Sequence, residues 1–451
     1  LDRRSSWGAR TLDYPFKILI VLFLTLCVTS STYAEDARVL PKGRSRMALT
    51  TAQTGAITQT FNADGKPESI TAPYNLELNS EKLRALPGLG TLIDTLNNLH
   101  YRYDVTKRNN AEHGVGVGED ATGIPIGEAV SRGLLNVEGR ANRRQFNAQY
   151  QYGVTDRLSV GFMVPYIRTS VSIDHSFGGV NSAVDIRDFL NATSGNVNSD
   201  ILKYLNQIAS ANSDTLQGLL TQRGYARVEN WDGSGLGDIV AGGRFNYLNH
   251  QTSTGEWLSS FQAGVTLPTG KIRPPREITQ QDFGQGAWDI GLANILNYSP
   301  TSLLTLSNGI HYTYRLPSHR IMRPRENPTD VIPDASSEED VAVKLGDKFW
   351  ATLGAKLSFT RAISIEGSYD WTWKKENRYS GSRPKDYSYL SEQTDSYLET
   401  IQIGASFSTI PAFMKFEFPV PAEVSVNVFV PTRGKNAIIA PYGTAELALF
   451  F

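Results

Sequence analysis

Over much of this 451-residue chain, apolar and polar positions alternate with period two. The clearest stretch runs from Phe349 to Lys374. Phe349, Ala351, Leu353, Ala355, Leu357 and Phe359 hold every second position of a first arm. After Thr360 and Arg361, Ile363, Ile365, Gly367, Tyr369, Trp371 and Trp373 alternate with Ser364, Glu366, Ser368, Asp370, Thr372 and Lys374. Side chains on a strand point to opposite faces in turn, so each arm has one apolar and one largely polar face. So short a link permits only an antiparallel hairpin. Tyr369, Trp371 and Trp373 crowd one end of the apolar face and Phe359 marks the other. A soluble sandwich buries its large apolar residues mid-strand, whereas a membrane barrel girdles an outward apolar band with aromatics at both interfaces. The hairpin predicts two strands of such a barrel.

The same alternation predicts ten more strands. They cover Arg46 to Phe61, about Val137 to Tyr152, Leu158 to Tyr166, Ile239 to Tyr247, Phe261 to Leu267, Trp288 to Tyr298, Leu304 to Tyr314, Ile401 to Phe407, Val424 to Val430 and Leu447 to Phe451. The connections run long, short, long, short, as expected of long extracellular loops and short periplasmic turns. The fold class predicted is all-β: an antiparallel up-and-down transmembrane β-barrel of about twelve strands, with long extracellular loops carrying short helices. Fourteen strands is the alternative, if residues 66–130 hold another pair. Leu83, Leu92, Ile93, Leu96 and Leu99 suggest a broken amphipathic helix, and Ile201, Leu202, Leu205, Ile208, Leu216, Leu219 and Leu220 a helix or helix pair. Segments 62–130 and 176–234 are read as long loops or as plug or lid segments. Asn181 to Asp200, rich in Asn, Ser, Gly and Asp, reads as a solvated hinge of that lid, and His113 to Asp120 as irregular. Parity puts Ile365 and Val426 towards lipid and Glu366 and Gln402 towards the lumen, so Ile365→Arg is expected to reduce folded barrel far more than Gln402→Arg.

Residues 1–34 read as a secretory signal: Arg3, Arg4, Arg10 and Lys17 precede the apolar run Phe16 to Val28, and Thr32-Tyr33-Ala34 offers small residues where a signal peptidase reads. The mature barrel would then span 35–451. Cys27, the single cysteine, lies in the apolar run, so the mature form would have neither disulfide nor Cys-based metal site. With 44 basic against 45 acidic residues, the chain lacks the basic excess that nucleic-acid binding needs. Mean hydropathy of -0.29 does not argue against a barrel, because only half the residues of each strand meet lipid. No second long apolar run follows the first, which excludes a helical membrane protein. The chain ends on Phe451 with Leu449 and Leu447 on the same face, which resembles the signal read by the outer-membrane barrel assembly machinery.

Three further stretches carry a resemblance. They are Gly233 to Tyr247 (GSGLGDIVAGGRFNY), Val265 to Lys271 (VTLPTGK) and Phe283 to Tyr298 (FGQGAWDIGLANILNY). Together they resemble the outer-membrane transporter family named for the phenol-degradation meta-pathway. The resemblance implies a Gram-negative outer-membrane barrel that passes hydrophobic or aromatic compounds, and it supplies no catalytic residues. The Gly-rich run at Gly233 is not a dinucleotide loop, since a strand rather than a helix follows it.

Parity assigns Asp238, Arg244, Asp289, His311, Arg315, Lys356, Glu366, Asp370, Lys374 and Glu446 to the lumen. Both signs are present, where a pore selective for ion sign would favour one. The two readings are a paired network that stiffens the interior and a constriction that selects solutes. None of the six histidines forms a metal-ligand pair. His311 points inward, whereas a lipid-cleaving Ser–His site would sit at the lipid-facing rim. No catalytic residue, cofactor site or metal site is expected. Twelve strands spaced ~4.8 Å and tilted ~40° enclose a backbone diameter of roughly 24 Å, which leaves an opening of roughly 10–14 Å inside the side chains. The chain thus reads as a channel for small solutes, with outer-membrane lipid, the assembly machinery and the solutes as its partners. The rival reading is a structural or binding barrel whose extracellular loops engage a partner.

Overall fold

The computed structural model describes residues 36–84, 89–104, 123–193, 199–326 and 332–451. The signal segment with Cys27 and the run His113 to Asp120 lie outside them. Twelve strands build the barrel: β1 (Ser45–Thr54), β2 (Leu134–Thr155), β3 (Leu158–Gly178), β4 (Ile239–Thr252), β5 (Gly255–Leu267), β6 (Asp289–Ser299), β7 (Leu304–Arg315), β8 (Lys348–Ser358), β9 (Ile363–Lys374), β10 (Ser396–Ser408), β11 (Ala422–Lys435) and β12 (Tyr442–Phe450). Each pairs antiparallel with the next, and β12 closes on β1 with Arg46 opposite Phe450 and Thr54 opposite Tyr442. Closure pairs the backbone of every strand without leaving an edge, as the hydrocarbon of a bilayer demands. No helix among the described residues is long and apolar enough to cross a membrane.

The wall is apolar outside. Val265, Leu292, Ile310, Leu353, Ile403 and Val426 are all at least 40% exposed, a pattern that is stable only against lipid. Exposed aromatics bound this band at both ends: Trp288, Tyr312, Tyr314, Phe349 and Trp373 at one, Tyr150, Tyr152, Tyr247, Phe359, Phe407 and Phe451 at the other. The barrel is an outer-membrane barrel.

Four local readings need correction. The first strand stops at Thr54; Gln59–Phe61 forms a separate small sheet with Pro67–Ser69 and Ala437–Ile439. β3 does not end at Tyr166 but continues to Gly178, and with β2 it forms a hairpin of 22 and 21 residues. About ten residues per strand cross a bilayer, so this hairpin stands clear of the rim. The alternation of link lengths fails at the end of the chain, where 436–441 is short and 409–421 long. Finally, most of the proposed hinge is helical.

The longer helices among the described residues are α1 (Leu89–Asn97), α2 (Ser182–Thr193), α3 (Ser199–Ala209) and α4 (Ser213–Gln222). Asn212 starts α4 by accepting from the Thr215 backbone N–H, while the Thr215 side chain returns to the Asn212 backbone. Ala183, Ile186 and Leu190 recur on one face of α2 and are fully buried, so this face overrides the polar composition of the run. They pack with Ile93, Leu96 and Leu205 into one core that joins the β1–β2 and β3–β4 connections.

Gln402 is 4% exposed, accepts from Ser368 and donates to Asn427. Arg there would break a packed network, so position 402 is a poor inward control. The register is better tested within one strand. Ile310 is 48% exposed at the middle of β7, whereas Thr313 faces the interior cavity described below. Ile310→Arg should cost about 2–4 kcal/mol, the toll for a cation on the lipid face near the midplane, and Thr313→Arg less than about 1 kcal/mol. Urea titration of the heat-modifiable gel band checks this; equal midpoints for the two variants would refute the register.

Candidate functional site: the barrel interior

The two halves of the wall carry different interiors. From β9 through β12 to β1 and β2, polar side chains crowd the inward positions. Ser364 and Ser406 hydroxyls lie 2.6 Å apart, Gln145 donates to Asn147 at 2.8 Å, and Thr50 donates to Glu446 at 3.0 Å. Short polar side chains meet here, and the members of each of these pairs satisfy one another.

From β3 to β8 the wall is hollowed. Gly161, Gly242, Gly264 and Gly291 stand directly opposite one another across β3, β4, β5 and β6 on the inward face. Four adjacent strands thus present no side chain at one level. All four glycines line a cavity of 1230 Å³. It extends from the short turns, at Ser253, Thr301 and Arg361, to Asp282 to Gln285 at the long-loop end. Its wall mixes Met163, Ile167, Leu258, Ile295 and Trp350 with polar and charged groups.

The structure places six of the ten lumen candidates around this cavity: Asp238, Arg244, Asp289, His311, Arg315 and Lys356. Asp289 and Arg315 face each other across β6 and β7, with Arg315 Nε 3.6 Å from Asp289 Oδ2 and both side chains buried. His311 stacks on Trp350, centroids 3.8 Å apart and planes within 6°. Lys356 stands opposite Glu366 across β8 and β9 near the short-turn end. The other four lie in the packed interior. Glu366 is 5% exposed, Asp370 accepts from Ser368, Lys374 donates to the Thr394 carbonyl, and Glu446 pairs with Arg46.

Asp238 is a clasp. Its carboxylate accepts from the backbone N–H of Gly270 at 2.9 Å and of Gln285 at 2.6 Å. Thr269 adds a bond to the Gly237 carbonyl and receives one from the Ile239 N–H. The three stretches that carry the family resemblance therefore meet at one point and fold the 268–288 connection over the cavity. A Cβ at Gly284 would fall 2.2 Å from Asp238 Oδ1, so the close approach requires glycine. Burial raises the Asp238 pKa above its ordinary value, and the two N–H donors pull it back down. Deeper in the same connection Arg273 donates to the Glu277 and Ile278 carbonyls, and burial lowers its pKa.

Two functional elements gave no periodic signal. One is the glycine row, legible only once four strands are put in register. The other is the segment before β1, which runs inside the barrel. Ala37, fully buried, packs with Leu258 and Ile295 and donates its N–H to Asn297 of β6. Leu40 N–H donates to Ser159 Oγ of β3 at 2.7 Å. Arg244, on β4, donates to the Asp36 and Arg38 carbonyls and to Gln262.

No protein-family model matches the sequence, and no curated protein matches it. Among solved structures, the chain is similar to an outer membrane channel from Pseudomonas putida F1, at 10% identity and a TM-score of 0.49, over 92% of this chain and 98% of that one. It is also similar to the toluene transporter TodX of P. putida, at 10% identity and a TM-score of 0.31, over 91% of this chain and 90% of that one. A third is the translocator domain of the autotransporter NalP from Neisseria meningitidis, at 8% identity and a TM-score of 0.32, over 91% and 89%.

Proposed function

We propose that this barrel is an outer-membrane channel through which small solutes, hydrophobic and aromatic ones among them, diffuse passively. The observation that carries the reading is the continuous cavity under the glycine row. A barrel built only as a scaffold has no reason to leave four adjacent strands bare at one level, when the inward positions of the strands across from them carry side chains. The mixed wall suits solutes with an apolar body and a polar group, and Trp350 with His311 offers a flat surface to rings. Asp238 and Asp289 with Arg244, Arg315 and Lys356 set charges of both signs along the wall, so selection by size and polarity is favoured over selection by ion sign. The packed candidates Glu366, Asp370, Lys374 and Glu446 act as a network that stiffens the wall. The assembly machinery is expected to read the β12 end.

Gly291 provides the test. A Cβ there meets nothing closer than the Gly264 carbonyl at 4.0 Å, so a larger side chain enters the cavity without displacing backbone. Wild-type protein in planar bilayers should give discrete channel events. Gly291→Phe should fold, and conductance and uptake of small aromatic solutes should fall by about half, since a side chain reaching ~5–6 Å enters an opening of roughly 10–14 Å. A sealed wild-type barrel, or a folded Gly291→Phe with unchanged flux, would remove the channel reading.

A further inference from the structure

The connection between β10 and β11 has no counterpart at its end of the barrel. The other links there, 156–157, 253–254, 300–303 and 359–362, are tight turns, while residues 409–421 form a hydrogen-bonded protrusion. Thr409 closes its base: its Oγ1 donates to the Val420 carbonyl at 2.6 Å, and Ala422 N–H donates to Thr409 Oγ1 at 2.8 Å. One helical turn, Ile410–Phe413, follows, and Phe413 and Met414 N–H donate to the Thr409 and Ile410 carbonyls. The turn ends at Phe416, whose φ is +62°, while the next N–H, of Glu417, reaches back to the Ala412 carbonyl at 2.9 Å.

That left-handed terminal position is where helices place glycine, because a Cβ there crowds the backbone. Here it holds phenylalanine, and that ring is 98% exposed. Met414 is 71% exposed, Phe418 44% and Val420 41%. Among the described residues, no contact accounts for a large ring held in a strained conformation and left bare. The protrusion continues the lipid-facing wall: Phe407, the last outward residue of β10, and Val424, the first of β11, are 50% and 45% exposed, and Phe451 beside them 60%. Lys415 and Glu417 leave it without net charge, as suits burial at the boundary of headgroups and acyl chains.

We propose that residues 410–420 are a wedge inserted into the periplasmic leaflet of the outer membrane, with the rings of Phe413, Phe416 and Phe418 at the level of the upper acyl chains. The occupant of this surface is phospholipid. The wedge pins the barrel at its periplasmic rim, beside the end of the cavity lined by Ile410 and Pro411.

The full chain carrying Phe416→Cys, labelled with an environment-sensitive fluorophore and refolded into phosphatidylethanolamine/phosphatidylglycerol vesicles, tests this. Thr254→Cys, in the exposed turn between β4 and β5, is the control, and the labelled unmodified chain subtracts any signal from Cys27. Heat-modifiable mobility confirms that each variant has folded. The label at 416 should emit further to the blue than that at 254, lose most of its emission to a nitroxide near the top of the acyl chain, and resist aqueous iodide. The label at 254 should show the reverse. Iodide quenching at 416 equal to that at 254 overturns the proposal. So does iodide protection that grows with the protein-to-lipid ratio while the nitroxide has no effect, which would put a second copy of the chain there instead.

Discussion

Deleting Glu35 to Leu40 should raise single-channel conductance about two-fold. An extended chain has a cross-section of roughly 50 Å², from strand spacing of ~4.8 Å and sheet spacing of ~10 Å, and it lies in an opening of roughly 110 Å². The strands pair without this segment, so the barrel should still close and shift on heating. The segment is also finely balanced. Fixing five residues costs about 5–10 kcal/mol of backbone entropy. Against that stand the bonds to Asn297, Ser159 and Arg244, at about 1 kcal/mol each or about 1.5–3 for the charged donor, and the burial of Ala37. Arg244→Ala, which removes the charged donor and leaves the chain otherwise complete, should therefore populate a second, larger conductance level by a factor of about ten or more, since ~1.4 kcal/mol is tenfold. A folded deletion with wild-type conductance, together with a single conductance level in Arg244→Ala, would show that the segment does not restrict flow.

The sequence made the wall legible wherever lipid touches it. Phe349 to Lys374 alternates because the bilayer forces each outward position to be apolar, and the same force marks all twelve strands. It fails where lipid stops. The outer half of β3, from Ile167 to Gly178, gives its outward positions to Arg168, Ser170, Ser172 and Asp174 because water surrounds it, so the lipid-facing pattern stops at Tyr166. The helix Ser182–Thr193 did carry its signal, in the spacing of Ala183, Ile186 and Leu190, but Asn, Ser, Gly and Asp dominate the run from Asn181 to Asp200 in which it lies. The interior was legible in parity and not in contact. Asp238 and Asp289 have the same inward parity; one binds two backbone N–H groups of a distant connection, the other an arginine on the neighbouring strand. Nothing local in the sequence separates these roles. The segment at Ala37 and the wedge at Phe416 are single passes of chain, whose meaning lies in what they touch or leave bare.

Replacing residues 182–227, which hold α2 to α4, with a short Gly/Ser linker should open the extracellular side. The segment leaves β3 and reaches across the barrel before returning to β4. Arg223 donates to the Ile332 carbonyl at 2.9 Å, Arg323 lies over the Tyr225 ring at 4.6 Å, and Ala226 N–H donates to the Arg276 carbonyl at 2.9 Å. These partners lie in the β7–β8 and β5–β6 connections. From β3 to the β7–β8 connection is about four and a half of twelve strand steps, a chord of roughly nine-tenths of the barrel diameter. A segment that makes contacts so far from its root fits a lid across the mouth better than a flap on the outer leaflet. The excision spares Trp231–Leu236, which pairs with β3, and the Asp238 clasp, so barrel closure should survive. It removes half of the core shared with α1, including Ile186, Leu190 and Leu205, and leaves Ile93, Leu96 and Ile126 without cover. Each such side chain loses about 1.5–3 kcal/mol of burial, so residues 79–104 should become sensitive to external protease while the barrel remains resistant. Conductance and uptake of small aromatic solutes should both rise, and combining the excision with deletion of Glu35 to Leu40 should raise conductance further than either alone, because two obstructions in series each limit flow. A folded excision variant that gains protease sensitivity but keeps wild-type conductance would place the helices beside the mouth and leave the 268–288 connection as the extracellular closure.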